Sequence, residues 1–163
     1  MDIEYKTFAQ KKDLYAYLHE QLRRIAGETT DETAILANAS SLLMLLLPEI
    51  NWAGFYLHRN QKLILGPFQG KPAVAEIAIG DGVCGTAAQT LAIQRVENVH
   101  RCCNHIACDL ATNSEIVLPI LLADGSLYGV LDIDSPTLSR FDEEDETGLS
   151  RFVSFLADAV KRA

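Results

Sequence analysis

Residues 115–134 read EIVLPILLADGSLYGVLDID. Two apolar runs, 115–122 and 126–134, flank Ala123, Asp124 and Gly125, a turn signal. Strands joined by so short a connection pair antiparallel, as a hairpin. Side chains alternate along a strand, so Leu131 and Ile133 point one way while Asp132 and Asp134 point the other. The hairpin therefore presents one apolar face and one face with paired carboxylates, and Pro136 ends it.

Upstream, residues 50–58 and 63–68 form a second hairpin around the polar tip 59–62, with Gly66 and Pro67 interrupting its second strand. Leu14, Leu18, Leu22 and Ile25 repeat at helical spacing, and a second helical run from Asp31 carries Ile35, Leu36, Leu42, Leu43, Leu46 and Leu47 as far as Pro48. A last amphipathic helix opens at residues 142–145, buries Leu149, Phe152, Val153, Leu156 and Val160, and finishes on Lys161 and Arg162, where the helix dipole favours cations. Gly80, Gly82 and Gly85 surround Cys84, which falls at or just before a short helix over 86–91. Residues 97–113 sustain no period and read as a long loop or a short helix with loops. The expected fold is α+β: a central antiparallel sheet with the N- and C-terminal helices packed on one face and a pocket covered by the middle segment, all in one domain over residues 1–163.

The chain has 163 residues and is 48% hydrophobic, enough to build a core without disulfide or metal staples. Its 22 acidic against 14 basic residues leave a net charge of -8, which argues against nucleic-acid binding through phosphates. The longest apolar run, 42–47, is far short of the roughly 20 residues of a membrane span, and residues 1–10 hold no apolar signal core. These features predict a cytoplasmic protein. In that reducing setting Cys84, Cys102, Cys103 and Cys108, all within one short stretch, serve catalysis, redox chemistry or metal binding rather than a structural framework.

The glycines and helix start around Cys84 lower the cost of a thiolate; alternatively the turn simply needs a small side chain. The segment HRCCNHIAC, 100–108, has zinc-type ligands, but adjacent Cys102 and Cys103 do not easily share one tetrahedral ion, so no metal is assigned. Asp132 and Asp134 need a cation or a proton if their face is covered, and nothing if it is solvated. Glu115 adds a third carboxylate across the hairpin. Trp52 and Tyr56 share a face of the first strand, either as core packing or as an aromatic wall for a small cationic ligand with an apolar tail.

Taken together and in order, NWAGFYL, LGPFQGKPA, GDGVCGTAA, VENVH, HIACD, NSEIVLPI, GVLDIDSP and RFDEED resemble the free methionine-(R)-sulfoxide reductases, stand-alone GAF-domain enzymes. The resemblance spans about residues 50–145 and includes two cysteine motifs that generic GAF domains lack. It implies a sheet of about six strands, a homodimer, no cofactor, and reduction of free methionine-(R)-sulfoxide with thioredoxin as the reductant. By motif it implies Cys108 as the nucleophile, Cys84 as a resolving thiol, Glu115, Asp132 and Asp134 as an acidic substrate site, and Trp52 and Tyr56 as its aromatic wall. The family's further cysteine after GKPA is Val74 in this chain, its FPG before HIACD is Cys102, Cys103 and Asn104, and its Asp before VH is Asn98. Either Cys84 alone or one of Cys102 and Cys103 then resolves the sulfenic acid. Two other functions compete: a GAF sensor that binds a small ligand without turnover, which would be expected to carry an output domain, and a thiol or zinc switch built on HRCCNHIAC.

Overall fold

A computed structural model describes residues 3–101 and 111–160 of the chain. Both hairpins are present. The first joins β1 (Trp52–Arg59) to β2 (Lys62–Gln69) through Asn60 and Gln61, both at positive φ, as the tight turn matching strand twist requires. The strand β3 (Glu76–Ala78) pairs with β2, and β4 (Gln94–Val96) with the first arm of the second hairpin, β5 (Ser114–Leu121) and β6 (Leu127–Ser135). The sheet order is β3-β2-β1-β6-β5-β4, and every neighbouring pair is antiparallel. Residue patterning reveals only the four long strands. The two edge strands have three residues each, too few to display a period, and they complete the six strands implied by the family resemblance.

Three helices, α1 (Lys11–Glu28), α2 (Glu32–Leu46) and α4 (Glu143–Val160), cover one face. The main core sits there, where Ala53, Phe55, Ile116, Leu118, Leu131 and Ile133 meet Leu18, Leu22, Leu36, Leu43, Phe152 and Leu156. Asp31 starts α2 by accepting the Ala34 N–H at 2.8 Å. At the start of α4, Asp142 Oδ1 accepts the N–H groups of Glu144 and Asp145, and Asp145 Oδ2 takes the Asp142 N–H at 3.0 Å. Asp145 is fully buried and also receives Lys11 Nζ at 2.6 Å, Tyr15 OH at 2.8 Å and Arg140 NH1 at 3.0 Å, which ties α1 to α4. The expected cations Lys161 and Arg162 lie outside the described residues.

The opposite face carries α3 (Gly82–Thr90). This helix begins at Gly82, four residues before the start expected from sequence, so Cys84 lies inside its first turn. Glycine is what permits this. Gly82 has φ +62°, and a Cβ on Gly85 would meet the Ala78 carbonyl oxygen at 2.5 Å. Among the described residues, no helix is long and apolar enough to cross a membrane. A short 3-10 turn, Val99–Arg101, precedes residues 102–110, where most of the expected pocket-covering segment lies outside the described residues.

Candidate functional site

The sheet face beneath α3 is built by alternation. Register places Trp52 opposite Asp134 and Asp134 opposite Glu115; one row along, Gly54 faces Asp132 and Asp132 faces Val117. The next row brings Tyr56 against Val130. Seven side chains and Gly54 thus share a single face through period-2 geometry on three adjacent strands. The face is covered rather than solvated: Glu115, Asp132 and Asp134 are 4%, 2% and 2% exposed. That removes the wet-face alternative for LDIDS.

From above, α3 lowers Cys84 onto these carboxyls. Cys84 Sγ, an oxygen of Glu115 and an oxygen of Asp132 all lie within 4.8 Å of one another. Asp132 is flanked in register by Gly54 and Val117, neither of which can solvate it. Burial accordingly pushes its carboxyl up to about 7, while hydrogen bonding with the Cys84 thiol and with Glu115 holds the rise back. A carboxyl of this kind keeps a proton near neutrality that an exposed aspartate has lost. The thiol meets opposing fields, since the N-terminus of α3 favours negative charge and the nearby carboxyls disfavour it.

The aromatic wall is a stack of three rings. Trp52 lies between Tyr56, at 6.1 Å and 22°, and Phe68, at 5.2 Å and 14°. Residues 70–74 cross over it: Trp52 Nε1 donates to the Lys71 carbonyl at 3.1 Å and Tyr56 OH donates to the Val74 carbonyl at 3.0 Å. Gly54 and Gly70 make room for the indole. A Cβ on Gly54 would approach Trp52 to 2.7 Å, and one on Gly70, where φ is +130°, to 2.5 Å. Sequence reading did not single out Phe68 or these two carbonyls. Phe68 was findable, because it sits on β2 directly opposite Gly54 of β1, where a missing side chain invites a large neighbour.

The structure therefore unites Cys84, Glu115, Asp132, Asp134, Trp52 and Tyr56 on one covered face. Cys102, Cys103 and Cys108 lie outside the described residues. Their flanks are tied together: the Val99 N–H donates to the Asn113 carbonyl at 3.0 Å, and His100 Nε2 lies 2.9 Å from Asn113 Oδ1. A groove of about 1040 Å³ between α1 and α4, with His19, Arg23, Arg151 and Asp158 in its lining, includes none of Cys84, Glu115, Asp132 and Asp134.

Residues 21–160 match the family model of the GAF domain. A free methionine-R-sulfoxide reductase of Escherichia coli (strain K12) is 49% identical over 90% of this chain and 88% of its own length. One of Saccharomyces cerevisiae is 39% identical over 94% of this chain and 89% of that protein. Among solved structures, the free methionine-R-sulfoxide reductase of Neisseria meningitidis in complex with its substrate superposes with a TM-score of 0.92 at 35% identity, covering 99% of this chain and 96% of that one.

Proposed function

The chain belongs to the GAF family and, within it, to the free methionine-R-sulfoxide reductases, and from that premise we propose that it reduces free methionine-(R)-sulfoxide to methionine by thiol chemistry at the covered sheet face. The observation carrying this reading is a buried carboxyl raised by desolvation, set against a thiol and beside a stack of aromatic rings.

Each group answers a need of the reaction. Cys108, as thiolate, attacks the sulfoxide sulfur; the S–O bond breaks, the oxygen passes to the cysteine, and methionine leaves. The sulfoxide oxygen must gain a proton as its bond to the substrate sulfur breaks, and Asp132, whose buried carboxyl is raised to about 7, supplies it. Asp134 and Glu115 hold the substrate ammonium, with Trp52 and Tyr56 lining the thioether end. A methionine within a peptide has no free ammonium at this point, so the site selects the free amino acid. The Cys108 sulfenic acid then condenses with the Cys84 thiol, forming a disulfide and water, and a thioredoxin dithiol exchanges with that disulfide to restore both thiols. Cys102 and Cys103 are the alternative resolving thiols. The protein acts in the cytoplasm as a homodimer, without a cofactor.

Methionine formation from the free R-sulfoxide, with thioredoxin and its reductase, tests the reading. Wild type turns over and Cys108→Ser does not, even with dithiothreitol; retained activity in the variant assigns the nucleophile elsewhere. Peptide mapping after one equivalent of substrate is expected to find a Cys84–Cys108 bridge. A bridge from Cys108 to Cys102 or Cys103, with Cys84→Ser still recycled by thioredoxin, overturns the resolving role of Cys84. Binding of methionine sulfoxide without turnover supports a sensor instead.

A further inference from the structure

The adjacent cysteines that weigh against a zinc site in HRCCNHIAC have no bearing on a second group of ligands, contributed by three separate elements. Cys84 comes from α3, Glu115 from β5 and Asp132 from β6, and their ligating atoms lie within 4.8 Å of one another with all three residues buried. Around a tetrahedral ion with bonds of about 2.3 Å to sulfur and about 2.0 Å to oxygen, ligand atoms stand about 3.3–3.5 Å apart. The three atoms therefore need to close by at most about 1.5 Å, within reach of small side-chain rotations. A second observation points to a ligand: Asp132 Oδ1 is buried and accepts no hydrogen bond from the described residues. Buried acceptors in that condition are costly unless something electropositive reaches them.

We propose that Cys84, Glu115 and Asp132 form a binding site for a thiophilic divalent cation of the zinc class, and that the bound ion inhibits the reductase. A thiolate with two carboxylates suits zinc, whereas calcium wants six to eight oxygens and magnesium retains its waters. Binding displaces the thiol proton and any proton on the carboxyls to solvent, and no electrons move. The inhibitory consequence rests on the reductase reading, because the ion occupies groups assigned there to substrate and to resolution. The site itself does not.

The deciding experiment uses the full chain with Cys102→Ser, Cys103→Ser and Cys108→Ser combined, in which Cys84 is the only remaining cysteine. Titrated with Co²⁺ as a spectroscopic stand-in, this reduced protein is expected to develop a thiolate-to-cobalt charge-transfer band at one equivalent, displaced by Zn²⁺. Calorimetry with Zn²⁺ on wild type should find one site that Cys84→Ser weakens about 100-fold or more, and Asp132→Asn or Glu115→Gln about 10-fold or more. No band in the triple variant, or unchanged Zn²⁺ affinity in Cys84→Ser, overturns the site. A single turnover of the reduced Cys102→Ser, Cys103→Ser double variant, which keeps Cys84 and Cys108 and needs no resolving thiol to release methionine, tests inhibition: Zn²⁺ is expected to stop methionine formation and a chelator to restore it. Persistent turnover with the ion bound refutes inhibition. A cobalt band in the triple variant, together with no methionine formation by metal-free wild type, overturns the functional reading while leaving the ion site standing.

Discussion

Replacing Asp132 by asparagine is expected to make the protein more stable and less active, with a pH signature that identifies the cause. The Asp132 carboxyl rises from 3.8 to about 7 on folding because it is desolvated between Gly54 and Val117. Below pH 3.8 the group is protonated in both folded and unfolded chains and costs nothing. As pH rises, the unfolded chain releases this proton first, so folding loses stability until the pH passes the folded value. At about 1.4 kcal/mol per pH unit, the accumulated cost at pH 8 is up to about 4 kcal/mol. Asparagine preserves the shape and carries no titratable proton, so the variant avoids this loss. Urea denaturation of both proteins at pH 5 and pH 8 measures it: the stability gap in favour of the variant should widen by about 3 kcal/mol between the two conditions. Turnover should fall about 10²-fold or more, because the amide cannot protonate the departing oxygen. A gap that stays constant with pH, or a variant no more stable at pH 8, would refute the claim that Asp132 is held protonated by burial.

Three further outcomes follow from other parts of the fold. Asp145→Ala leaves Lys11, Arg140 and Tyr15 without their shared buried partner, and thermal denaturation should register a loss of about 3–5 kcal/mol. Around Asp142, burial alone would raise the carboxyl, but the hydrogen bond and charge of Lys11 outweigh it and hold the group at about 2; an NMR pH titration of Lys11→Met should show it moving back up. Gly54→Ala drives a methyl group into Trp52 and Phe68, so it should cost about 1–3 kcal/mol in urea denaturation and raise KM for the sulfoxide with a smaller change in kcat.

Much of this molecule is written locally. The hairpin at 115–134 and its partner at 50–68 declare themselves through alternation and tight turns, and the helices through apolar spacing and caps at Asp31 and Asp142; these signals reside in neighbouring residues. Alternation also placed Asp132 with Asp134, and Trp52 with Tyr56, on common faces. It could not say whether that face was wet. Burial depends on α3 and residues 70–74 packing over it, contacts between segments far apart in sequence. The two edge strands were lost to patterning because three residues make no period, and their partners supply the hydrogen bonds that define them. The motifs around Cys84, Cys108 and LDIDS were enough to place the chain in its family. Only the tertiary structure brought Cys84, 31 residues before Glu115 and 48 before Asp132, onto those two carboxyls. The raised proton affinity of Asp132 and the ion-binding potential of the trio arise from that convergence, because desolvation and ligand geometry depend on what surrounds a group in space.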